Sequence, residues 1–307
     1  TFAELTMKNN PFAIPGRFYR GNLHTHSTNS DGLLPVQEVC QRYEDAGYDF
    51  IALTEHFHER YDFPLTDSRP FRNDNFTTLI AAELHQGKIA VGENWHILAV
   101  GLPVDFAKPT PGETALQISE RAAATGAFIG IVHPSWYGLT IEDARSIPCA
   151  HAIETYNHGS EVEAERGDSW GFYDQLLNEG WRLSGFATDD SHSVVHDMGG
   201  GWVNVRANSL DPEAIVQSLK AGHYYSSQGP EIHDLQIADG QLKVKCSAAS
   251  NISLQGRGRL SVYVAGEGLT EASFETEIFE PAYVRVTVRD ANGKKAWSNP
   301  VWFSDLV

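Results

Sequence analysis

Apolar and polar positions follow two regimes along this chain. Up to about Ser227, short apolar runs alternate with segments whose apolar residues recur at helical spacing. Residues 18–23 and 49–54 have the composition of buried strands. Between them, residues 35–46 put Val36, Val39, Cys40 and Tyr43 on one helix face, with Gly47 as the stop. The pattern recurs as a helix over 113–125 closed by Gly126 and a strand over 127–132, then as a helix over 171–179 closed by Gly180 and a strand over 182–188. A last helix has Asp211 at its N-cap, Pro212 at its first position and Gly222 beyond its end. Repeated βα units of this kind predict an α/β fold with a parallel sheet, as a barrel or an open doubly wound sheet.

Beyond Ser227 the period changes to two. Residues 241–246, 259–264 and 282–288 alternate apolar and polar side chains, separated by turns such as Asp290-Ala291-Asn292-Gly293. This predicts a small antiparallel β domain, a sandwich, over 228–307, after an α/β domain over 1–227.

The ends of the apolar runs carry the chemistry. His24 and His26 follow the first strand, with Asp31 in the next turn; His56 follows Leu53-Thr54-Glu55; Glu83 closes 79–82; His133 closes 128–132; Asp190 and His192 follow 186–188. His96 instead opens the apolar run 97–100, which predicts a hairpin return after Glu83 over the same mouth. In an α/β barrel the C-terminal strand ends share one face, and catalytic groups gather there. One such residue at a strand end is most often a core or surface group, but nine of them at the ends of apolar strands point to metal binding. Imidazole and carboxylate without thiolate suit Zn, Mn or Fe. Nine ligands exceed what one ion can use, so two or three ions are expected, with Glu83 as a bridge.

Charge and cysteine content narrow the field. A net charge of −17 argues against a nucleic-acid polymer as partner, because that binding needs Lys and Arg on phosphates. A small anionic substrate stays compatible, since bound cations reverse the local sign. The three cysteines, Cys40, Cys149 and Cys246, are scattered and do not form a disulfide framework. No apolar stretch has membrane-spanning length, so no membrane partner is expected. The first residues show no leader, which favours a cytoplasmic setting; export remains open to a chain that has lost one.

The ordered segments Gly21-Asn22-Leu23-His24-Thr25-His26-Ser27, Ser30-Asp31-Gly32, Leu53-Thr54-Glu55-His56, Ala82-Glu83, Val132-His133-Pro134 and Asp190-Ser191-His192 resemble the PHP (polymerase and histidinol phosphatase) family over about residues 18–225. The end segment, with Ala296-Trp297-Ser298-Asn299-Pro300-Val301-Trp302, looks like the CehA/McbA-type branch. The resemblance implies a distorted (β/α)7, TIM-like barrel with a trinuclear centre. It assigns His24, His26, Glu83 and Asp190 to one metal; Glu83, His96 and His133 to a second; and Asp31, His56 and His192 to a third. It also implies hydrolysis of phosphate mono- or diesters, with aryl carbamate esters included in the branch. Where the family usually has Ser or Thr before the last aspartate, this chain has Asp189, which is expected to add negative charge beside the site.

The expected mechanism is attack by a metal-bridging hydroxide, with Glu83 and Asp190 as catalytic ligands and His158 as a proton donor to the leaving group. Substrate contacts are expected from Trp136, Tyr137, Asn157 and His158, and phosphate pairing from Arg20 and Arg166. His58, His85, His151, His196, His223 and His233 have no ligand-like setting in the sequence. The competing readings are a carboxylic or carbamate ester hydrolase on the same site and a non-catalytic, metal-stabilised binding protein.

Overall fold

The structure, a computed structural model, describes residues 10–306; the outermost parts of the two expected segments, residues 1–9 and 307, lie outside them. The chain begins β1 (Arg17–Asn22), α1 (Val36–Asp45), β2 (Phe50–Leu53), β3 (His56–Phe57), β4 (Thr77–Leu84) and β5 (Ile97–Val100). It continues α2 (Ala115–Ala124), β6 (Phe128–Ile131), α3 (Pro134–Tyr137), α4 (Ile141–Arg145), β7 (Ala152–Asn157) and α5 (His158–Ala164). Then come α6 (Trp170–Asn178), β8 (Ser184–Thr188), β9 (Trp202–Ala207), α7 (Pro212–Lys220) and β10 (Tyr224–Ser227). Local chemistry sets the helix limits. Thr114 closes a capping box with Gln117 at the start of α2. Asp211 accepts the Glu213 backbone N–H at the start of α7. Gly47, Gly126, Gly180 and Gly222 follow α1, α2, α6 and α7 with positive φ.

Strand direction departs from the all-parallel expectation. β1, β2 and β4 run parallel, as do β6, β7 and β8, but β5 is antiparallel to both β4 and β6. The cause is the connection: no helix separates β4 from β5, and a chain that turns straight back must pair antiparallel. β9 and β10 add further antiparallel pairs beyond β1. The hairpin return expected of His96 is thus present, with Glu83 opposite Leu98.

One face of this sheet is gathered into a shared interior. Tyr19 and Leu23, Phe50 and Ala52, Leu79 and Ala81, Leu98 and Val100, Phe128, Ala152, Phe186 and Val203 form one cluster, with Ile215, Val216 and Leu219 of α7 against it. The opposite face packs on α2, α4 and α6 through Ala82, Ala99, Ile129, Ile131 and Ile153. The sheet therefore curls. Its last strand, β8, meets β10 through Ser226 Oγ, which accepts the Ala187 N–H at 3.1 Å. Above that, the His26 N–H donates to Ser191 O at 2.9 Å.

The C-terminal strands are β11 (Ile232–Ala238), β12 (Gln241–Gly256), β13 (Ser261–Glu275), β14 (Tyr283–Arg289), β15 (Lys295–Ser298) and β16 (Val301–Trp302). They are antiparallel, as the period-two pattern predicts. β15 also pairs with β10, so these strands extend the same hydrogen-bonded sheet. The run expected at 241–246 is the start of a longer strand, whose register shifts between Lys245 and Asn251 hide its continuity from a strict alternation. Arg285, 6% exposed, ties this region to α6 by pairing with Asp174.

Gly21 shows how tightly the interior is built. A Cβ there would stand 2.1 Å from the Phe50 ring, on the neighbouring strand. Gly21→Ala should therefore lower stability by about 1–3 kcal/mol in chemical denaturation. Adding Phe50→Leu should recover part of that loss; purely additive effects would show that the two positions do not share this space.

Candidate metal centre

The strand ends bring nine side chains, far apart in sequence, onto one spot. His24 and His26 follow β1, His56 follows Thr54 and Glu55 past β2, and Glu83 sits near the end of β4. His96 precedes β5, His133 follows β6, and Asp190 and His192 follow β8, with Asp31 in the loop after β1. Glu83 is the hub. Its oxygens lie 2.6 Å from His56 Nδ1, 2.7 Å from His96 Nδ1 and 3.1 Å from His133 Nε2. They also lie 3.7 Å from His24 Nε2 and 3.8 Å from His26 Nε2. Asp190 Oδ1 is 3.2 Å from His24 Nε2 and 3.1 Å from His26 Nε2. Asp31 stands 3.2 Å from His56 Nε2 and 3.4 Å from His192 Nε2.

Among the described residues, four groups could hold a metal ion, with donor atoms in each within 4.8 Å of one another: His26, Asp31, His56 and His192; His24, His26 and Asp190; His24, Glu83 and His133; and His56, Glu83 and His85. Hydrogen bonding accounts for only part of this packing. His24 Nε2 and Glu83 Oε2 are buried without a hydrogen-bond partner, despite neighbours at 3.2 and 2.6 Å. Donor atoms about 2.1 Å from a shared ion stand roughly 3–3.5 Å apart, which is the spacing seen here. Lone pairs aimed at a common point fit a cation between them, so the residues present suit a divalent metal. Free cysteines Cys40, Cys149 and Cys246 belong to none of these groups.

Electrostatics agree with that fit. Burial works against ionisation of Glu83, but His96, His56 and His85 hold its pKa well below the usual carboxylate range. Asp190 is likewise held low against its burial by His24, His26 and His192. Burial, with His192 and His56 nearby, brings His26 down to about 3, and burial brings His96 to about 3 despite Glu83. Those two imidazoles are thus neutral and offer free lone pairs. Burial pulls both His24 and His56 down, but the carboxylates around them together outweigh it: Asp190, Glu154 and Glu83 push His24 well up, and Glu83 with Asp31 pushes His56 to about 10. A cation there replaces a proton.

A cavity of about 260 Å³ opens over the cluster, lined by Asp31, His56, Glu83, His96, His133, Asp190 and His192 together with Trp136, Gly159, Ser160 and Glu163. Trp136 is one of the lining residues. The other expected substrate contacts sit elsewhere. Tyr137 is buried behind the cluster, its ring 5.2 Å from both His96 and His133. Asn157 is buried and donates to Glu154 and to Asp190. His158 packs on Gly200 and meets the Tyr156 hydroxyl at 3.1 Å, and it is not among the residues that line the cavity. The Arg20 guanidinium is sandwiched between Tyr48 and Trp202, at 4.0 and 3.8 Å from the ring centroids. Arg166 is exposed and donates to Trp136 O. Asp189 is a member of none of the metal-capable groups. It accepts the backbone N–H groups of Gly199, Gly200 and Gly201 and the Tyr43 hydroxyl, anchoring the loop that leads into β9.

Sequence reasoning missed His85. Its Nε2 lies 2.8 Å from His56 Nδ1 and 3.4 Å from Glu83. The signal was available: His85 is two residues beyond Glu83, hence on the same side of an extended strand. Glu55 was also missed in this role. It accepts from Ser27 and Ser30 and braces the loop that carries Asp31.

No protein-family model matches the sequence, and no curated protein matches it either. Among solved structures, the fold is similar to a two-domain protein from Bacteroides vulgatus that contains a predicted PHP-like metal-dependent phosphoesterase. That likeness covers 94% of this chain and 95% of the other, with a TM-score of 0.55 and 14% identity. A Bifidobacterium adolescentis protein, provisionally assigned as a metal-dependent phosphoesterase, covers 65% of this chain and 94% of its own at TM-score 0.44 and 12% identity. An amidohydrolase from Chromobacterium violaceum covers 66% of this chain and 96% of its own at TM-score 0.43 and 14% identity. The class defined here is a mixed α/β fold, like the two-domain Bacteroides protein, that carries His/Asp/Glu groups able to bind metal.

Because Glu83 faces histidines from four other segments, Glu83→Gln should strip most bound divalent metal while the chain stays folded. Elemental analysis beside circular dichroism reads both; unchanged metal content would remove Glu83 from the hub.

Proposed function

We propose that this chain is a PHP-type metal-dependent hydrolase of small-molecule esters, most simply a phosphoesterase on phosphate mono- or diesters. The observation that carries this is the convergence of imidazoles and carboxylates on Glu83 and Asp190 beneath a cavity, with His24 Nε2 and Glu83 Oε2 left without a hydrogen-bond partner. On this reading the curled sheet is a distorted (β/α)7 barrel over residues 1–227, and 228–307 form a β-sandwich accessory domain of the CehA/McbA type. The ligand sets would be His24, His26, Glu83 and Asp190; Glu83, His96 and His133; and Asp31, His56 and His192, for two or three ions of Zn, Mn or Fe. His85 stands ready beside the last two sets.

When bound, such ions supply Lewis acidity and a water acidic enough to act as nucleophile near neutral pH. The chain does the rest. Neutral His26 and His96 and the ionised Glu83 and Asp190 hold electron pairs at fixed points, which avoids reorganisation during reaction. Trp136 provides an apolar wall for the leaving group, and burial of the floor excludes bulk water. Glu163 and Ser160 at the mouth face the part of the substrate that leaves.

One observation favours a second reading, a carboxylic or carbamate ester hydrolase. Among the described residues no Lys or Arg lines the cavity, so there a phosphate would find only the ions to balance its charge. The deciding experiment supplies Mn, Zn or Fe to the protein and assays p-nitrophenyl phosphate, bis(p-nitrophenyl) phosphate and p-nitrophenyl acetate in parallel. The proposal expects chelator-sensitive cleavage of at least one phosphate ester. Cleavage of the acetate alone would select the second reading, and a protein that takes up no metal would refute both.

A further inference from the structure

The end of β7 contributes no donor to any of the four metal-capable groups, yet it touches three of their members. Glu154 is fully buried. Its Oε1 lies 3.2 Å from His24 Nδ1 and accepts from the Thr188 hydroxyl. Its Oε2 accepts the backbone N–H of His133 at 2.6 Å and the Asn157 amide at 2.9 Å. The same Asn157 amide donates to Asp190 Oδ2 at 3.0 Å, while Asn157 Oδ1 accepts the Ser160 N–H at 2.7 Å.

Regular strand geometry would put residues 154 and 157 on opposite faces, since they are three apart. The β7–β8 ladder is irregular at this point: Glu154 pairs with Phe186, but Tyr156 pairs with Ala187, so two steps on β7 match one on β8. That bulge brings Asn157 round to the side of Glu154, the kind of re-aiming for which bulges next to active sites are used. The backbone at the held ligands is itself unusual. His133 has φ 31° and Asp190 has φ 50°, left-handed conformations that non-glycine residues adopt only when their surroundings impose them. The Glu154 carboxylate holds the N–H of the first, and Asn157 holds the side chain of the second.

Resting on the metal-hydrolase reading above, we infer that Glu154 and Asn157 form a ligand-orienting station: positioning residues that fix His24, His133 and Asp190 together without binding an ion. An acceptor at His24 Nδ1 keeps the proton on that nitrogen and leaves Nε2 free to face Glu83 and Asp190. One carboxylate thereby couples ligands delivered by β1 and β6, and through Asn157 the one delivered after β8. Replacing it loosens several ligands at once.

The test is a competition titration of the full chain against a chromophoric chelator, with Zn and with Mn, and circular dichroism to select folded protein. Glu154→Gln keeps the shape but replaces one acceptor oxygen by a donor. It should hold at least one ion roughly 10- to 100-fold more weakly. In steady-state assays on whichever p-nitrophenyl ester is cleaved, kcat should fall while KM changes little. Thr188→Val removes only the hydroxyl bond to Oε1 and should give a smaller loss in the same direction; if Glu154→Gln does not fold, it carries the test alone. Affinity within about twofold of wild type for every ion, in whichever variant folds, would overturn the inference while leaving the metal centre standing. A wild-type chain that binds no ion would overturn the metal reading first, and this inference with it.

Discussion

A carboxylate with no exposure to water, Glu83, is the constraint on which this structure turns. Burying a charge costs several kcal/mol unless opposite charge or a metal compensates it. Here the compensation comes from histidines of four other segments at once, His24 with His26, His56, His96 and His133, because no single element can supply enough imidazole. His24 and His26 must lie beside Asp190, so the end of β1 has to meet the segment after β8. The backbone bond from His26 N to Ser191 O and the Thr25–Ser191 bridge make that meeting. The curl of the sheet and the chemistry of its mouth are therefore one problem with one solution.

The polar layer beneath the ligands follows the same logic. Glu55, Glu154 and Asp189 are all fully buried, and each is surrounded by hydrogen-bond donors: serines for Glu55, His24, an amide, a hydroxyl and backbone for Glu154, three glycine N–H groups and a tyrosine for Asp189. A hydrogen-bonded carboxylate that carries no metal fixes geometry in its neighbours. The effect of burial still shows at Asp189, whose pKa is raised to about 6 because desolvation outweighs those bonds. Below this layer the interior is purely apolar, and that is where overpacking at Gly21 would be felt.

The C-terminal strands bear on the α/β part through continuity of the sheet rather than through a separate face. β15 pairs with β10, Trp297 packs near Trp170 at 5.3 Å, and Arg285 reaches Asp174 on α6. The segment identified by its period-two pattern is therefore a structural neighbour of the helices that surround β7 and β8. In the described residues no helix is long and apolar enough to cross a membrane.

Much of the site was legible in the sequence because its code is local. An apolar run that stops at a histidine or acid marks a strand end, and helix caps such as Thr114 and Asp211 mark where the chain turns back. The nine expected ligand candidates lie close together for that reason, seven of them lining the cavity and His24 and His26 buried beneath it. What the sequence left undetermined depends on partners far away along the chain. The antiparallel course of β5 follows from a connection that lacks a helix, and the long β12 is hidden behind its register shifts. Asn157 joins Glu154 on one side through a register shift against β8, and the Arg20 guanidinium lies between Tyr48 and Trp202. Local periodicity decides which residues end a strand; only the pairing of strands decides which of them face one another.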